Sequence, residues 1–212
     1  MGRHLVLLVV GAVFVVGPAL AGATAGPQKA ITPEDQARAR VVLVKRSDLG
    51  AGFEALPGSG NVRTCPGLDL GRVTVTGEAS SPAWIRARTV VFGSSVVYAS
   101  TADARLSLDV QAGREGLACS LEQTRRTYRG PGVSVSQRRL DLPRLAPSTL
   151  AYRTVVREGE RITFAIDSLV LRRGRGQTAI ALGTGGALPP RSELLRLGRL
   201  LAARLQRAMR AA

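Results

Sequence analysis

Past its fourth residue this chain contains no histidine: His4 is the only one among 212 residues. Ser-His-Asp and Cys-His nucleophile systems, histidine general bases and histidine metal sites are therefore excluded together from the remainder. Cysteine is nearly as scarce, and Cys65 and Cys119, if paired, leave no thiolate for a zinc site. Aromatic residues make up 4%. A core must then be built mainly of Val, Leu, Ile and Ala, and no arginine run is interleaved with rings as a single-strand nucleic-acid platform requires. Lysine is limited to Lys29 and Lys45. The longest apolar run, Leu5 to Gly17, is about 13 residues, short of the roughly 20 that span a bilayer.

That run has a role of its own. It follows the basic start Met1-Gly2-Arg3-His4 and precedes Pro18 and two Ala-x-Ala sequences, Ala19-Leu20-Ala21 and Ala23-Thr24-Ala25. A basic start, a short apolar run and small residues at −3 and −1 predict a signal peptide covering residues 1–21 or 1–25, with Pro18 favouring cleavage after Ala21. Retention as an anchor is the other reading. No cysteine follows either site, so a lipid-modified amino terminus is excluded. Residues 26–212 are enough for one domain with a sizeable core. Export to the extracellular space or cell envelope would expose the chain to an oxidising compartment, where Cys65 and Cys119 are expected to pair.

The formal net charge is +15. A basic balance is compatible with nucleic acid, acidic glycans or anionic lipid. The dominance of arginine over lysine, beside abundant Ala, Gly and Val and a single Asn, equally fits GC-rich coding. The arginines are also scattered along the chain, which makes nucleic acid the weaker expectation.

Alternation and turn chemistry predict the elements. Leu150, Tyr152, Thr154 and Val156 alternate with Ala151, Arg153, Val155 and Arg157, and Glu158-Gly159-Glu160 leads into a second run, Arg161 to Arg172. There the apolar side switches at Asp167-Ser168, from Ile162, Phe164 and Ile166 to Leu169 and Leu171, which a bulge or a change of packing partner would explain. Arg173-Gly174-Arg175-Gly176 then turns into Gln177 to Leu182. A three-stranded antiparallel meander is expected. Upstream, Thr32-Pro33-Glu34-Asp35 starts a helix expected to reach about Val44 with Ala37, Val41 and Val44 inward. Glu54 to Asp69 reads as a loop pinned by Cys65, and Leu70 to Ala79 as a strand. Trp84 to Arg88 and Thr89 to Ala99 form one strand interrupted at Gly93-Ser94-Ser95, or two. Helices follow, one carrying Ala104, Leu106, Leu108 and Val110 and another, Arg114 to Arg126, carrying Leu117, Ala118, Cys119 and Leu121. Val133 to Leu142 is a further strand. Leu194, Leu197, Leu201 and Leu205 recur at helical spacing to the end of the chain. The fold class expected is α+β, an antiparallel sheet packed against amino-terminal, middle and carboxy-terminal helices with one disulfide.

Candidate site residues are few. Carboxylate chemistry needs only two facing acids, but Glu34 and Asp35 belong to a helix start, Glu158 and Glu160 flank a turn, and Glu115 and Glu122 fall on an exposed helix. Asp167 alone lies within an apolar strand, as a ligand contact, a bulge cap or the partner of an arginine. Gly183-Thr184-Gly185-Gly186 lacks the lysine and Ser/Thr of a phosphate loop, and Arg173 to Gly176 reads as a solvated turn. Arg196, Arg199, Arg204 and Arg207 form a basic side of the last helix.

Val42-Leu43-Val44-Lys45-Arg46-Ser47-Asp48-Leu49-Gly50-Ala51-Gly52-Phe53 resembles the amino-terminal helix and Asp-Leu-x-x-Gly-Phe turn of many exported actinobacterial proteins of unassigned role. The order of strands, a cysteine-bearing helix, meander and final helix is similar to the extracellular sensor domain of PknH-type kinases and to Mog1/PsbP-like folds. The resemblance implies an antiparallel sheet with helices against it and a ligand cleft, and it carries over no functional residue. The expected protein is a non-catalytic, sensor-like binding domain without cofactor or metal. It would take a small molecule or lipid between sheet and helices, or dock its basic final helix on an acidic envelope polymer or protein.

Overall fold

In the computed structural model, residues 26–56, 65 and 68–210 are described. The expected signal peptide and most of the expected loop between Glu54 and Asp69 lie outside them. The strands are β1 (Gln28–Lys29), β2 (Glu54–Leu56), β3 (Thr74–Ser80), β4 (Ala83–Arg86), β5 (Thr89–Tyr98), β6 (Val133–Arg139), β7 (Ser148–Glu158), β8 (Arg161–Arg173) and β9 (Gly176–Gly185). The helices are α1 (Pro33–Val42), α2 (Thr101–Ala112), α3 (Arg114–Thr127) and α4 (Arg191–Arg210), with a 3₁₀ turn at Arg46–Asp48. One sheet runs β1-β3-β5-β9-β8-β7-β6, with β4 beside the far end of β5 and β2 beside β4. Every pairing is antiparallel except β1 with β3. The expected α+β class is formed, and the meander of β7, β8 and β9 is its centre.

The switch along β8 comes from packing. Pairing runs unbroken through Asp167, opposite Arg153 on β7 and Leu182 on β9, and the register shift lies at Val156/Arg157 instead. Phe164 and Ile166 join Val90, Phe92, Val156 and Ala181 in a cluster on one face. Leu169 and Leu171 join Ile180, Leu182 and the α4 leucines on the other. A strand buried on opposite faces at its two ends reads as a broken alternation without any bulge. At the turns Gly159 (φ +57) and Gly174 (φ +55) take the left-handed conformation that side chains disfavour.

α4 buries Leu194, Leu197, Leu201 and Leu205 almost completely, each contributing roughly 2 kcal/mol by the area removed from water. Gly198 lets it settle, because a β-carbon there would sit 2.6 Å from a Leu169 methyl. α1 starts as expected, with the Asp35 amide donating to Thr32 Oγ1 at 3.2 Å. It ends at Val42, however, and its inner residues are Asp35, Ala39 and Val42, while Ala37 and Val41 face solvent. Val44 is buried from the chain beyond the helix.

Three further expectations are corrected. Gly93-Ser94-Ser95 lies inside an unbroken β5, paired with Ile180, Ala179 and Thr178; the break falls at the turn through Ala87, so there are two strands. Leu106 is exposed rather than core. α3 buries Gly116, Ser120 and Thr124 in place of Leu117, Ala118 and Leu121. The reason is that α3 lies over a polar stretch of β6 and β7, where Gln137 Nε2 donates to Ser120 Oγ at 3.4 Å and Thr154 Oγ1 at 3.1 Å. Polar residues beneath the helix reward hydroxyls over leucines.

Cys119 on α3 is bonded to Cys65, closing a separation of 54 residues. With little apolar burial of its own, α3 leans on that bond. Reduction, or a paired Cys65→Ser/Cys119→Ser change, should lower unfolding free energy by about 4 kcal/mol on the loop-closure estimate. Urea unfolding with and without reductant measures this; coincident curves would contradict it.

Candidate functional site

Acids are half as numerous as basic residues in this chain, and the buried ones are each taken by arginine. Asp167 is fully buried, and both its oxygens accept from Arg153, Nε at 2.6 Å and Nη2 at 2.6 Å, while Nη2 also donates to the Pro189 carbonyl at 3.1 Å. Of the roles weighed for Asp167, arginine pairing is the one the geometry contains. The pair ties β7 and β8 to the approach of α4.

Asp35 makes a similar contact. Arg175 in the β8–β9 turn donates Nη1 to Oδ2 at 2.5 Å and Nη2 to Oδ1 at 2.7 Å, and Arg38 donates to Oδ1 at 2.7 Å. Burial would push the Asp35 carboxyl up, but hydrogen bonds from Arg175, Thr76 and Arg38 outweigh it and hold the group down at about 2. Asp48 accepts from Arg204, Nη1 at 2.6 Å and Nη2 at 2.8 Å. Burial opposes ionisation there too, and the Arg204 guanidinium with the Lys45 amide overrides it, so the carboxyl lies below its ordinary range. General acid work near neutral pH needs a carboxyl raised toward 7. Asp35 and Asp48 are displaced the other way, and among the described residues no three His, Cys, Asp or Glu side chains gather as a metal site would need.

The basic side of α4 is realised with one exchange. Arg196, Arg199 and Arg207 are exposed, whereas Arg204 turns inward to Asp48 and the Leu43 carbonyl and is lost to the surface. Arg210 takes the place of Arg204, because residues 196, 199, 207 and 210 share the side opposite the leucines. At 1.5 Å per residue the stripe is about 21 Å long. Arg196 is held by Glu193, at 2.9 Å and 2.7 Å, and by the Asp48 carbonyl at 2.7 Å. Glu193 is the only acid on the helix, and its carboxyl is held low by the Arg196 guanidinium against burial.

On the other face of the sheet, under α2, lies a chain of polar groups that periodicity could not reveal. Tyr98 Oη and Ser107 Oγ are 2.8 Å apart, Gln111 Nε2 donates to Ser107 Oγ at 2.9 Å, and Gln177 Nε2 donates to Gln111 Oε1 at 3.3 Å. Burial raises the Tyr98 phenol to about 12, the Ser107 contact easing it only in part. Gln177 Oε1 is buried without a partner among the described residues. These groups line a cavity of about 20 Å³ with Leu70, Val73, Val75 and Val96, room for one water. A shallow groove of about 320 Å³ runs beside Arg139, Leu140, Asp141, Leu142, Thr149 and Ala151.

No protein-family model and no curated protein matches this sequence. Among solved structures, the extracellular domain of PknH from Mycobacterium tuberculosis is similar, with 9% identity over 82% of this chain and 96% of that one and a TM-score of 0.47. No residue role is transferred from it.

The sign of the Asp35 effect sets a pH test. Its carboxyl falls from 3.8 to about 2 on folding, so its stabilisation is present above about pH 4 and lost as pH falls through 2. Arg175→Gln removes the leading partner. The gap in unfolding free energy between wild type and this variant should be about 2 kcal/mol near neutral pH and close toward pH 2. A gap constant over that range would refute the assignment.

Proposed function

We propose that this protein is an exported, non-catalytic binding domain that docks the outer side of α4 on an anionic envelope polymer. The observation carrying this reading is the exposed stripe of Arg196, Arg199, Arg207 and Arg210, against which the helix sets one acid, Glu193. Arg196 is engaged by Glu193, and the three other guanidinium groups, on a helix backbone clamped by buried leucines, can reach a phosphate, sulfate or carboxylate polymer with little further ordering of the backbone. Insertion into a lipid surface is disfavoured, because an interfacial helix needs its apolar side free and the leucines of α4 are spent on β8 and β9. The leader-like opening and the Cys65–Cys119 bond support export. The arginine-bound state of the buried acids supports binding over catalysis.

An Arg199→Gln/Arg207→Gln/Arg210→Gln variant should elute from immobilised heparin or polyphosphate at markedly lower salt than wild type. Arg114→Gln/Arg125→Gln/Arg129→Gln, equal in charge and placed elsewhere, should elute close to wild type. Equal losses in the two triples would reduce the binding to net charge and end the reading.

A second reading rests on Gln177 Oε1 and the polar chain beneath α2, a place for a small hydrogen-bonding ligand between sheet and helices. The enclosed space is that of one water, so a larger ligand requires α2 to move outward. Native mass spectrometry of protein from its exporting host, against its denatured mass, decides this. A mass lost on denaturation supports the ligand; a bare chain two hydrogens light removes it.

A further inference from the structure

The two edges of the sheet are treated differently. The β3 edge is covered along much of its length: the amides of Gln28, Ala30 and Thr32 donate to the carbonyls of Val73, Val75 and Thr76 at 2.8, 2.9 and 2.8 Å. Beyond them the Gln36 side chain stands in for a strand, its Nε2 donating to the Glu78 carbonyl at 2.7 Å and its Oε1 accepting from the Glu78 amide at 3.2 Å. Nothing comparable closes the far edge, β6, which pairs with β7 alone.

The phase of that open ladder follows from two bonds. Leu140 N–H donates to the Ala151 carbonyl at 2.8 Å and Gly159 N–H to the Gly132 carbonyl at 3.0 Å, in register with Val133↔Glu158 through Arg139↔Tyr152. Even-numbered residues of β6 therefore turn their backbone toward β7, and odd-numbered ones turn it outward. The Val133 amide is used by the Gly130 carbonyl. The amides of Val135, Gln137 and Arg139 and the carbonyls of Val133, Val135 and Gln137 face away from the sheet with no partner among the described residues. An open row of this length is a template for another strand.

The side chains describe the strand that fits. Val133, Val135 and Gln137 lie half-buried on the α3 side, while Ser134, Ser136 and Arg138 are exposed on the other, with Arg157 opposite Ser134 and Arg139 exposed at the end. Arg129 is exposed on the approach to β6, and Glu158 and Glu160 lie at the β7–β8 turn. Directly opposed residues share a face, so a partner should alternate a β-branched residue with a carboxylate. A second copy of this chain is opposed by its own charge of +15.

We infer that the β6 edge binds an extended acidic segment of a partner protein by strand addition, with carboxylates on the Ser134, Ser136 and Arg138 side and β-branched residues beside Val133 and Val135. The inference is independent of the α4 reading.

The test uses the full chain and a fluorescent octapeptide of alternating Val and Glu, read by anisotropy. Two further peptides carry N-methyl groups, one on every Val amide and one on every Glu amide. In antiparallel addition the Val residues turn their backbone to β6, so methylating Val should weaken binding at least about tenfold while methylating Glu leaves it unchanged. The reverse pattern reports parallel addition and equally supports the inference. Equal binding by all three peptides would mean attraction by charge alone, and no binding by the parent peptide would mean no strand site; either overturns it. A dimer of the free protein in sedimentation, dissolved by none of the peptides, would make a second copy the occupant and also overturn it. The Arg199/Arg207/Arg210 variant should bind the parent peptide as wild type does.

Discussion

The architecture depends on the cost of burying charge. Fifteen acids stand against thirty lysines and arginines; Asp167 is fully buried, and the Asp35 and Asp48 side chains are largely shielded from water. An isolated buried carboxylate is prohibitive, so each must find a guanidinium in good geometry. Asp35 finds Arg175 across 140 residues, Asp48 finds Arg204 across 156, and Asp167 finds Arg153 on the adjacent strand. Those links join α1 to the β8–β9 turn, the segment after α1 to α4, and the middle of the sheet to the start of α4. Removing Arg153 or Arg204 would leave a buried carboxylate without its guanidinium, whereas Asp35 would keep Arg38 after loss of Arg175.

Around these links the sheet is covered unequally. The α1 and α4 face packs leucines and valines around the three ion pairs, and at Gly77 and Gly198 the approach is so close that a β-carbon would collide. The α2 and α3 face is partly polar, from Tyr98 and Ser107 through Gln111 and Gln177 to Ser120, Gln137 and Thr154. Leucine packing and ion pairs fix the first face; hydrogen bonds and one disulfide hold the second. The rigid face carries the arginine stripe, and the wetter face carries the small cavity, so the two functional readings divide along the sheet.

Neutralisation leaves part of the arginine set over. Arg153, Arg175 and Arg204 are consumed in structural pairs, while Arg199, Arg207 and Arg210 on α4 and Arg138 and Arg139 on β6 remain exposed. On the proposed reading, net charge would draw anionic partners in and placement would decide which of them is held.

The sequence by itself determined the local events. The Thr32-Pro33 helix start, the glycine turns at Gly159 and Gly174, the leucine stripe of α4 and the extended run of β7 are short-range consequences of backbone sterics and periodicity, and they are found at the expected positions, although β7 is buried on both faces. The Cys65–Cys119 pair was legible because only two cysteines exist. Tertiary structure decided the rest. Arg204 and Arg207 look alike in sequence, yet only Arg204 lies over Asp48. Asp35 reads as a helix-start acid until Arg175 arrives from 140 residues away. Leu117 and Leu121 look like the inner face of α3 until polar β6 and β7 are laid beneath it. The unbroken β5 and the open edge of β6 follow from which strands come to lie beside them. In each case the deciding energy is that of a contact between segments distant along the chain, and no local pattern encodes which segments will meet.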